Sequence, residues 1–357
     1  MRRSSNRPQM GFTMVELLMA LVVTIVIVGG GILVFTNSAQ SSTRSLKYSD
    51  IQTEARAALS QITRDLSQAG TGVPLNGIPI PSFAAGGANP NFSCDTTQCY
   101  TAADIPFTQG LLYKVTPGNA IGPTISEPSD AIKLVYVDPT LNWTAVQAAA
   151  IAPNGGSVTM PAATVPAVND PALGITPGDV MLLQNANGSA VGVVTAVAGQ
   201  VIFFGADPLD INQVNAPSGN IKALGTPGTN PLTYPATQVS RLIMVTYFIQ
   251  PFVGPDGPDA RIMRQVGSHQ PIPIAEHIED LKFTYDVVDP ITNALTANSL
   301  DASLGTPPVS QPNQIRKVNI NVTARAARRE TTNGDFLRIN LTTSIGPRNL
   351  SFRDRYN

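Results

Sequence analysis

The stretch Gly11-Phe12-Thr13-Met14-Val15-Glu16-Leu17-Leu18 opens a long apolar run near the N-terminus. From Leu17 to Phe35 the run is about nineteen residues long, which is enough for a helix that crosses a bilayer. Glu16 is the only charged residue between Phe12 and Gln40. A carboxylate just inside an apolar segment is energetically unfavourable, so it marks a candidate functional residue. The sequence therefore predicts a membrane-spanning helix in which Glu16 has a specific task.

The charges on either side of the run predict its orientation. The first eleven residues contain Arg2, Arg3 and Arg7 and no acidic residue, and no charge follows the run directly. This asymmetry predicts a leader in the cytoplasm and the rest of the chain outside. A secretory signal would have a shorter apolar region and then a small-residue cleavage site. Residues 36–40 (Thr-Asn-Ser-Ala-Gln) keep that alternative open on these grounds alone.

Residues 11–18 closely resemble the leader junction of type IV pilins and type II secretion pseudopilins. In that family a glycine is followed by Phe, Thr, two hydrophobic residues, Glu and a long apolar helix; here Met14 replaces the commoner leucine. The resemblance implies that a prepilin peptidase cuts after Gly11 on the cytoplasmic face and that the same enzyme N-methylates Phe12. It also implies that Glu16 pairs with the N-terminal ammonium of its own chain or of a neighbouring subunit, which selects the register of assembly.

Three consecutive glycines, Gly29, Gly30 and Gly31, interrupt the apolar run. Each glycine destabilises a helix by about 1 kcal/mol relative to alanine. One interpretation is a flexible or partly melted section within a filament, as the resemblance to pilins implies. The other is close packing of helices through small residues. No proline occurs between Phe12 and Pro74.

The apolar run continues into an amphipathic segment. Apolar residues recur mostly every four positions, with Lys47, Asp50, Glu54, Arg64 and Asp65 between them. The apolar positions are Leu46, Ile51, Ala55, Leu59, Ile62 and Leu66. This spacing predicts a helix with one buried face, ended by the Gly/Pro-containing segment 70–74. One helix over residues 12–69 would be about 85 Å long, with residues 14–35 in the membrane.

Composition indicates a turn-rich head rather than a helical enzyme. Only 13% of the 357 residues are charged, the net charge is −1, and there are 29 glycines and 30 prolines. The near-neutral balance gives no overall field to attract nucleic acid.

Cys94 and Cys99 fit a disulfide-closed loop in an oxidising compartment, with two unpaired thiols as the alternative. We expect no metal site there, because no second Cys or His pair lies near them.

Residues 70–357 read as a β-rich head. Residues 73–109 are rich in Pro, Gly, Asn and Ser and predict an extended surface segment with little regular structure. Alternation and turn signals predict strands further on. These are Leu111–Thr116, Ala131–Val137, Val180–Gln184, Val191–Val197, Val201–Phe204, Arg241–Gln250, Ala260–Val266, Leu281–Val287, Val318–Ala324 and Leu337–Ser344. Residues 145–169 and 212–235 have the composition of insertions.

The last third of the head resembles minor pilins of the PilW type. The order of Tyr247-Phe248-Ile249, Arg261-Ile262-Met263-Arg264 and residues 278–285 (IEDLKFTY) is similar, and so is the ending 337–349, which leads into Arg348-Asn349. The fold class that we expect is α+β. A long N-terminal α-helix, transmembrane in its first half, packs on a mainly antiparallel sheet in a pilin-like head.

Catalytic and ligand-binding motifs are weak. His269 and His277 do not have the spacing of a helical zinc pair, and we interpret them as solvated loop residues. Asp256, Asp259, Asp286 and Asp289 lack the dense alternating spacing of a calcium loop, so we expect turn-forming aspartates. The sequence contains no phosphate-binding glycine–lysine loop. We therefore expect no cofactor, no metal and no enzymatic activity.

The C-terminal segment 315–357 carries nine basic residues against three acidic ones. The basic residues are Arg316, Lys317, Arg325, Arg328, Arg329, Arg338, Arg348, Arg353 and Arg355. A contact surface for DNA is one interpretation. Arginines on the outer face of a sheet are the other, and we favour it because no aromatics are interleaved at stacking spacing.

The function expected from these resemblances is that of a minor type IV pilin that helps to initiate, prime or cap pilus assembly. Its expected partners are other pilin subunits, the prepilin peptidase, the inner-membrane assembly platform and the lipid bilayer; nucleic acid is not expected. Its expected location is the bacterial inner membrane, with the head in the periplasm. The alternatives are a minor pseudopilin of type II secretion and a pilus-associated adhesin. The mature length of 346 residues is large for a pseudopilin.

Overall fold

The computed structural model describes residues 13–349 apart from 76, 81–90, 95–98, 102–110, 124–126, 142, 144–145, 173, 207–213, 218, 290–291, 300–311, 331–333 and 348. These residues form one long α-helix, antiparallel β-sheets and short 3-10 turns, which is an α+β architecture. The chain divides into two compact units, Met1–Asp50 and Ile51–Asn357. Gly11 and Phe12 lie outside the described residues.

Helix α1 spans Met14–Gln68, a length of 55 residues. The absence of proline leaves its ladder of backbone hydrogen bonds unbroken, and Gly29, Gly30 and Gly31 are helical. Within the described part of the first unit, nearly every side chain is exposed, including the apolar ones. Among the described residues, α1 is the one helix long and apolar enough to cross a membrane, and none of its most apolar window is buried within the chain.

The part of α1 in the second unit buries one stripe of side chains. The buried residues are spaced three or four apart, as one face of a helix requires; they are Ile51, Ala55, Ala58, Leu59, Ile62, Asp65 and Leu66. Leu46, which the sequence predicted to belong to this face, is 64% exposed and lies in the first unit. The helix ends where Gly70 adopts a φ of 82°, a C-terminal conformation that glycine favours. The Gly70 amide then donates to the Val135 carbonyl at 2.8 Å.

The strands of the second unit are mostly short until residue 238 and long thereafter. The first twelve are β1 (Ile78–Pro79), β2 (Asn91–Cys94), β3 (Cys99–Thr101), β4 (Leu111–Leu112), β5 (Val115–Gly118), β6 (Ala131–Val137), β7 (Ala150–Ile151), β8 (Ser157–Thr159), β9 (Val180–Asn185), β10 (Gly188–Val193), β11 (Ala196–Ala198) and β12 (Val201–Phe203). The others are β13 (Gln238–Gly254), β14 (Gly257–Val266), β15 (Ile272–Ala275), β16 (Ile278–Val288), β17 (Leu295–Ser299), β18 (Ile315–Arg325) and β19 (Arg338–Ile345).

Two antiparallel sheets dominate the second unit. The larger has seven strands: β10-β9-β13-β14-β15 form its main path, and β6 pairs with both β13 and β5. Strand β13 is its centre, because successive parts of it pair with β9, β6 and β14. The second sheet has the order β17-β16-β18-β19. A small sheet, β11-β12-β8-β7, and the pairs β1-β4 and β2-β3 complete the strands.

The apolar residues form three cores. The first joins the buried stripe of α1 to the inner faces of both large sheets, through residues such as Leu134, Val245, Phe283 and Val322. The second surrounds Trp143, the only tryptophan, beside the small four-stranded sheet. The third lies on the opposite face of the seven-stranded sheet. Alternate residues of β6 enter the first and third cores, so this strand is buried on both faces.

Several strand predictions are confirmed and others need correction. Strand β6 has the predicted bounds, and the five long strands of the last third lie where the alternation predicted them. The predicted strand Val191–Val197 is two strands, because the amides of Val194 and Thr195 bond to carbonyls of different partners and the chain turns between sheets. Residues 73–109, predicted to be a surface segment, include Val73, Ile78 and Ile80, which are buried in the third core. Residues 145–169 contribute β7, β8 and the buried Val158 to the second core, and their origin as an insertion stays a prediction.

Candidate functional site

The N-terminus of α1 is a reciprocal cap built by Thr13 and Glu16. The amide and the hydroxyl of Thr13 both donate to Glu16 Oε2, at 3.0 and 3.1 Å. The Glu16 amide lies 3.3 Å from Thr13 Oγ1. This arrangement is a capping box, which satisfies donors that a helix start leaves without partners. Glu16 therefore has a structural role within its own chain, and the spacing Thr-x-x-Glu in the sequence would have allowed its prediction.

An unbroken apolar surface follows this cap. The large side chains of residues 14–35 are between 47% and 85% exposed. A Cβ atom added to Gly29, Gly30 or Gly31 would meet nothing within 4 Å. The surface at the three glycines is thus open within the chain, and both of their predicted roles, flexibility and close packing against a neighbouring helix, remain predictions. Glu16 is the only charged side chain along this surface.

A buried polar cluster fixes the second part of α1 to the seven-stranded sheet. Asp65 is 3% exposed and accepts a hydrogen bond from Tyr247 Oη at 2.5 Å and a weaker one from Tyr136 Oη at 3.4 Å. The Nε of Arg264 donates to the same carboxylate at 2.8 Å. Burial, and then the Asp65 charge, raise the pKa of both tyrosines above the ordinary value. Both phenols therefore act as neutral donors to Asp65.

Asp65 is a correction to the sequence prediction, which placed it on the polar face of the helix. The spacing of Ala58, Ile62, Asp65 and Ala69 is four, three and four, so Asp65 lies on the buried stripe. Its partners come from β6, β13 and β14. Since they are separated from Asp65 by 71, 182 and 199 residues, no local sequence signal identifies them.

The two histidines lie in loops, as the sequence predicted, but their side chains are 36% and 21% exposed and each ring is bonded to a carboxylate. His269 Nε2 lies 2.8 Å from Asp179 Oδ1, and His277 Nδ1 lies 2.6 Å from Asp259 Oδ2. Asp259 is 1% exposed and also pairs with Arg325 at 3.3 Å. The described contacts thus bind each ring to a carboxylate and to no hydroxyl or thiol. This arrangement stabilises the two loops through hydrogen bonds to buried or half-buried carboxylates.

The His269 pair lines a cleft of about 280 Å³. Arg241 also lines it and binds Asp138, with Nε and Nη2 at 2.7 and 2.5 Å from Oδ2. Its Nη1 lies 3.9 Å from Asp179. The Asp138 carboxylate also accepts from the amide and hydroxyl of Thr140. The charged groups of the cleft are therefore bonded to each other, which is the arrangement of a structural ion-pair network.

The aspartates that the sequence considered as calcium ligands have protein partners. Asp256 accepts from the Arg329 amide, Asp286 from Asn319 Nδ2, and Asp289 caps its own turn. Asp259 belongs to the buried cluster described above. Among the described residues, no group of three or more His, Cys, Asp or Glu side chains is arranged to hold a metal ion.

Much of the basic charge of the C-terminal segment is paired. Arg338 binds Glu279 through two hydrogen bonds, at 2.5 and 2.9 Å. Lys317 lies 3.4 Å from Asp286, and Arg325 is paired with Asp259. Pairing with carboxylates reduces the positive field available to a polyanion. Arg348, Arg353 and Arg355 lie outside the described residues.

Two further sites contain buried charge. Thr116, Lys133 and Thr246 are directly opposite each other on β5, β6 and β13, and all three are buried. Burial lowers the pKa of Lys133 to about 8. In the second site, burial, then repulsion by Asp130, raises the pKa of Asp280 to about 6, while Lys282 opposes the rise. The Oδ1 atom of Asp280 is buried and has no hydrogen-bond partner among the described residues.

The backbone register of β2 and β3 gives the relative position of the two cysteines. Strands β2 and β3 are antiparallel, and Cys94 is the direct partner of Cys99 in their ladder. The Cα atoms of directly opposite residues in such a ladder are about 4.5–5.5 Å apart, within the range that a disulfide spans. The predicted disulfide is therefore compatible with the backbone and stays a prediction.

Comparisons with protein-family models, with curated proteins and with solved structures found no match to this chain. Its function has to be inferred from its own residues, of which the capped apolar helix and the Asp65 cluster are the most distinctive.

Proposed function

We propose that this chain is a minor type IV pilin, a structural subunit that helps to initiate, prime or cap a pilus. The observation that carries the proposal is the start of α1, where one carboxylate, Glu16, caps a helix whose following twenty residues are apolar and exposed. Exposure of these apolar side chains to water is unfavourable, since their burial in lipid or in a filament core is strongly favourable. The leader motif at residues 11–16 supports the same assignment.

The capping box explains how Glu16 is tolerated at the edge of an apolar region. Its Oε2 atom takes both donors of Thr13. The carboxylate remains ionisable, and in a bilayer or a filament core a charge needs a countercharge. Cleavage after Gly11 would create one, the ammonium group of Phe12. In this proposal Glu16 binds Thr13 in the isolated subunit and an ammonium group, its own or a neighbour's, on assembly.

The partners in this proposal are other pilin and minor pilin subunits, the prepilin peptidase and the inner-membrane assembly platform. The helix lies in the lipid bilayer before assembly, and the head lies on the periplasmic side. No step of the proposal involves catalysis by this chain, which is the substrate of the peptidase.

The experiment expresses the full chain in a cell that contains a prepilin peptidase. The mature protein should begin at Phe12 and carry one N-methyl group, both visible in its intact mass. Glu16→Ala should be processed in the same way but should be at least tenfold depleted from sheared pili. Asp50→Ala, which removes an exposed acid further along the same helix, is the matched control and should assemble normally. Normal incorporation of Glu16→Ala would refute the assigned role.

A pseudopilin of type II secretion shares every feature of the helix start, so it is the main alternative. Deletion of the gene separates the two functions: loss of surface pili in electron micrographs favours the pilus, and lost secretion with unchanged piliation favours the pseudopilin. An adhesin remains the further alternative, for which residues 145–169 and 212–235 are the candidate segments.

A further inference from the structure

Strand β19 is an edge of the four-stranded sheet and pairs with β18 over eight consecutive residues without a register shift. Its sequence is Arg-Ile-Asn-Leu-Thr-Thr-Ser-Ile. It contains no proline, and its one charged residue, Arg338, is bound to Glu279. Proteins usually protect such an edge with charges, prolines or bulges, because its free backbone groups can pair with another strand. Strand β19 thus has no proline and no bulge, and its single charge lies at its first residue.

The other edges of the two large sheets do have such protection in the part of the chain that the structure describes. Strand β5 contains Pro117, and β15 contains Pro273 and a register shift against β14. Strand β17 has a register shift against β16. Strand β10 contacts the 3-10 helix Asn220–Leu224 and β1, and the Asn215 side chain bonds to both the amide and the carbonyl of Val193. Among the described residues, the edge of β19 therefore differs from those of β5, β10, β15 and β17, and it is a candidate binding edge.

The hydrogen bonds around β19 show which of its backbone groups face outward. The Leu337 carbonyl, just before the strand, accepts from the Ala326 amide on the β18 side. The backbone N–H and C=O groups of successive residues point to opposite sides of an antiparallel strand. The backbone groups of every second residue after Leu337 therefore also face β18; these residues are Ile339, Leu341, Thr343 and Ile345. The N–H and C=O groups of Arg338, Asn340, Thr342 and Ser344 therefore face away from the sheet. The side chains of these four residues are exposed.

We propose that the outward edge of β19 binds an extended strand from a neighbouring subunit of a different pilin type. The four outward N–H groups and four outward C=O groups have no backbone partner among the described residues, and their spacing matches the backbone of one further β-strand. Main-chain hydrogen bonds provide affinity in this mode of recognition, and alternate side chains provide specificity. The uncharged outer side chains of Asn340, Thr342 and Ser344 raise no electrostatic barrier to an approaching chain.

A second copy of this chain fits less well, and this step depends on the proposed function. Antiparallel pairing of β19 with its own copy needs a two-fold axis perpendicular to the sheet, which reverses every direction within the sheet plane. Such a contact is isologous, so it closes a dimer and cannot extend along a filament, which needs heterologous contacts. The proposed function places the subunit in a filament. A different pilin-type subunit can present a strand without this two-fold axis.

The test uses the full chain and the single substitution Thr342→Pro, with Thr342→Val as its matched control. Proline removes an outward N–H and places its ring at the edge, but it leaves the bonds to β18 intact, whereas valine keeps the N–H. We expect Thr342→Pro to unfold at the wild-type temperature, to be cleaved at Gly11 normally, and to be at least tenfold depleted from sheared pili. Thr342→Val should be incorporated at the wild-type level.

Hydrogen exchange provides a second measurement on the same strand. In the detergent-solubilised subunit, the amides of Arg338, Asn340, Thr342 and Ser344 should exchange fast, and those of the alternate residues slowly. In the assembled state all eight should exchange slowly. Protection of the four outward amides in the isolated subunit would mean that the chain covers its own edge, and this would overturn the proposal.

The remaining outcomes are also decisive. Normal incorporation of Thr342→Pro, or equal loss with proline and valine, would overturn strand addition. A disulfide between two copies of Thr342→Cys in oxidised membranes would overturn the choice of a different subunit as the partner. These outcomes are distinguishable from a failure of the proposed function. That failure would appear as an uncleaved leader or as normal assembly of Glu16→Ala, and neither result depends on residue 342.

Discussion

The replacement of Asp65 by asparagine tests what holds the helix to the head. The substitution keeps the shape of the side chain but removes its charge, so Arg264 is left without its ionic partner. The Asp65 and Arg264 side chains are 5% and 18% exposed. Removal of one member of a buried ion pair costs about 3–5 kcal/mol. Partial hydration of Arg264 places the expected loss in the free energy of unfolding near the lower figure, about 3 kcal/mol.

Urea unfolding of the detergent-solubilised chain, followed by tryptophan fluorescence, measures this loss. Trp143 is the only tryptophan; it is 1% exposed and belongs to the second core, so its emission reports unfolding of the head rather than a local change at residue 65. Tyr247→Phe removes the hydrogen bond to Asp65 and a longer one from Arg264 Nε at 3.3 Å, and should lower the free energy of unfolding by about 1–2 kcal/mol.

The matched control is Arg64→Ala, which removes an adjacent, exposed charge on the same helix and should change the free energy of unfolding by less than about 0.5 kcal/mol. The double variant Asp65→Asn/Arg264→Met should lose clearly less than the sum of its single variants, because both substitutions remove the same interaction. A loss in Asp65→Asn no larger than that in Arg64→Ala would refute the reasoning.

Two further predictions concern buried charge and the pH dependence of stability. Lys133→Met should raise the free energy of unfolding at pH 7 by up to about 3 kcal/mol, since a pKa lowered from 10.5 to about 8 makes the charged form unfavourable in the fold. Stability of the wild-type head should rise between pH 8 and 10.5, where the unfolded chain binds the extra proton, and Lys133→Met should lack that rise; urea titrations at several pH values give the comparison. Asp280 has the opposite sign: its pKa is raised to about 6, so its contribution is most favourable below pH 4 and is lost as the pH rises through 6. Asp280→Asn should therefore add roughly 1 kcal/mol at pH 7.5, a figure reduced for the exposed part of the side chain, and little at pH 4; an equal gain at both pH values would contradict this assignment.

The sequence predicted those parts of the fold that depend on local pattern. The apolar run and the four-residue spacing after it predict α1, and the apolar run Ala131–Val137 predicts β6 with its observed bounds. Strand β15 was missed, because Pro271 and Pro273 make its segment read as a loop. The capping box is also encoded locally, by the spacing Thr13-x-x-Glu16.

The contacts of the candidate sites could not be predicted in the same way. Asp65, Asp259 and Asp179 resemble ordinary surface aspartates in their local sequence. Each is buried or paired by residues far away in the chain, such as Arg264, Arg325 and His269. Burial of a carboxylate depends on whether the fold supplies donors, and these donors come from strands whose pairing is not encoded in the local pattern. A helical wheel places Asp65 on the buried stripe but does not name its partners.

The central position of β13 has a consequence for the order in which the chain acquires structure during its synthesis. Residues 131–137 and 180–185 are made well before residue 238, yet both strands have β13 as a neighbour. Until β13 has been synthesised, the apolar strands β6 and β9 lack the strand that lies between them. Contacts of such long sequence separation also form slowly. The nascent first two thirds of the head therefore expose apolar surface that is prone to aggregation until β13 is made. Truncated products that end before residue 238 should be degraded rather than accumulate as a smaller folded domain.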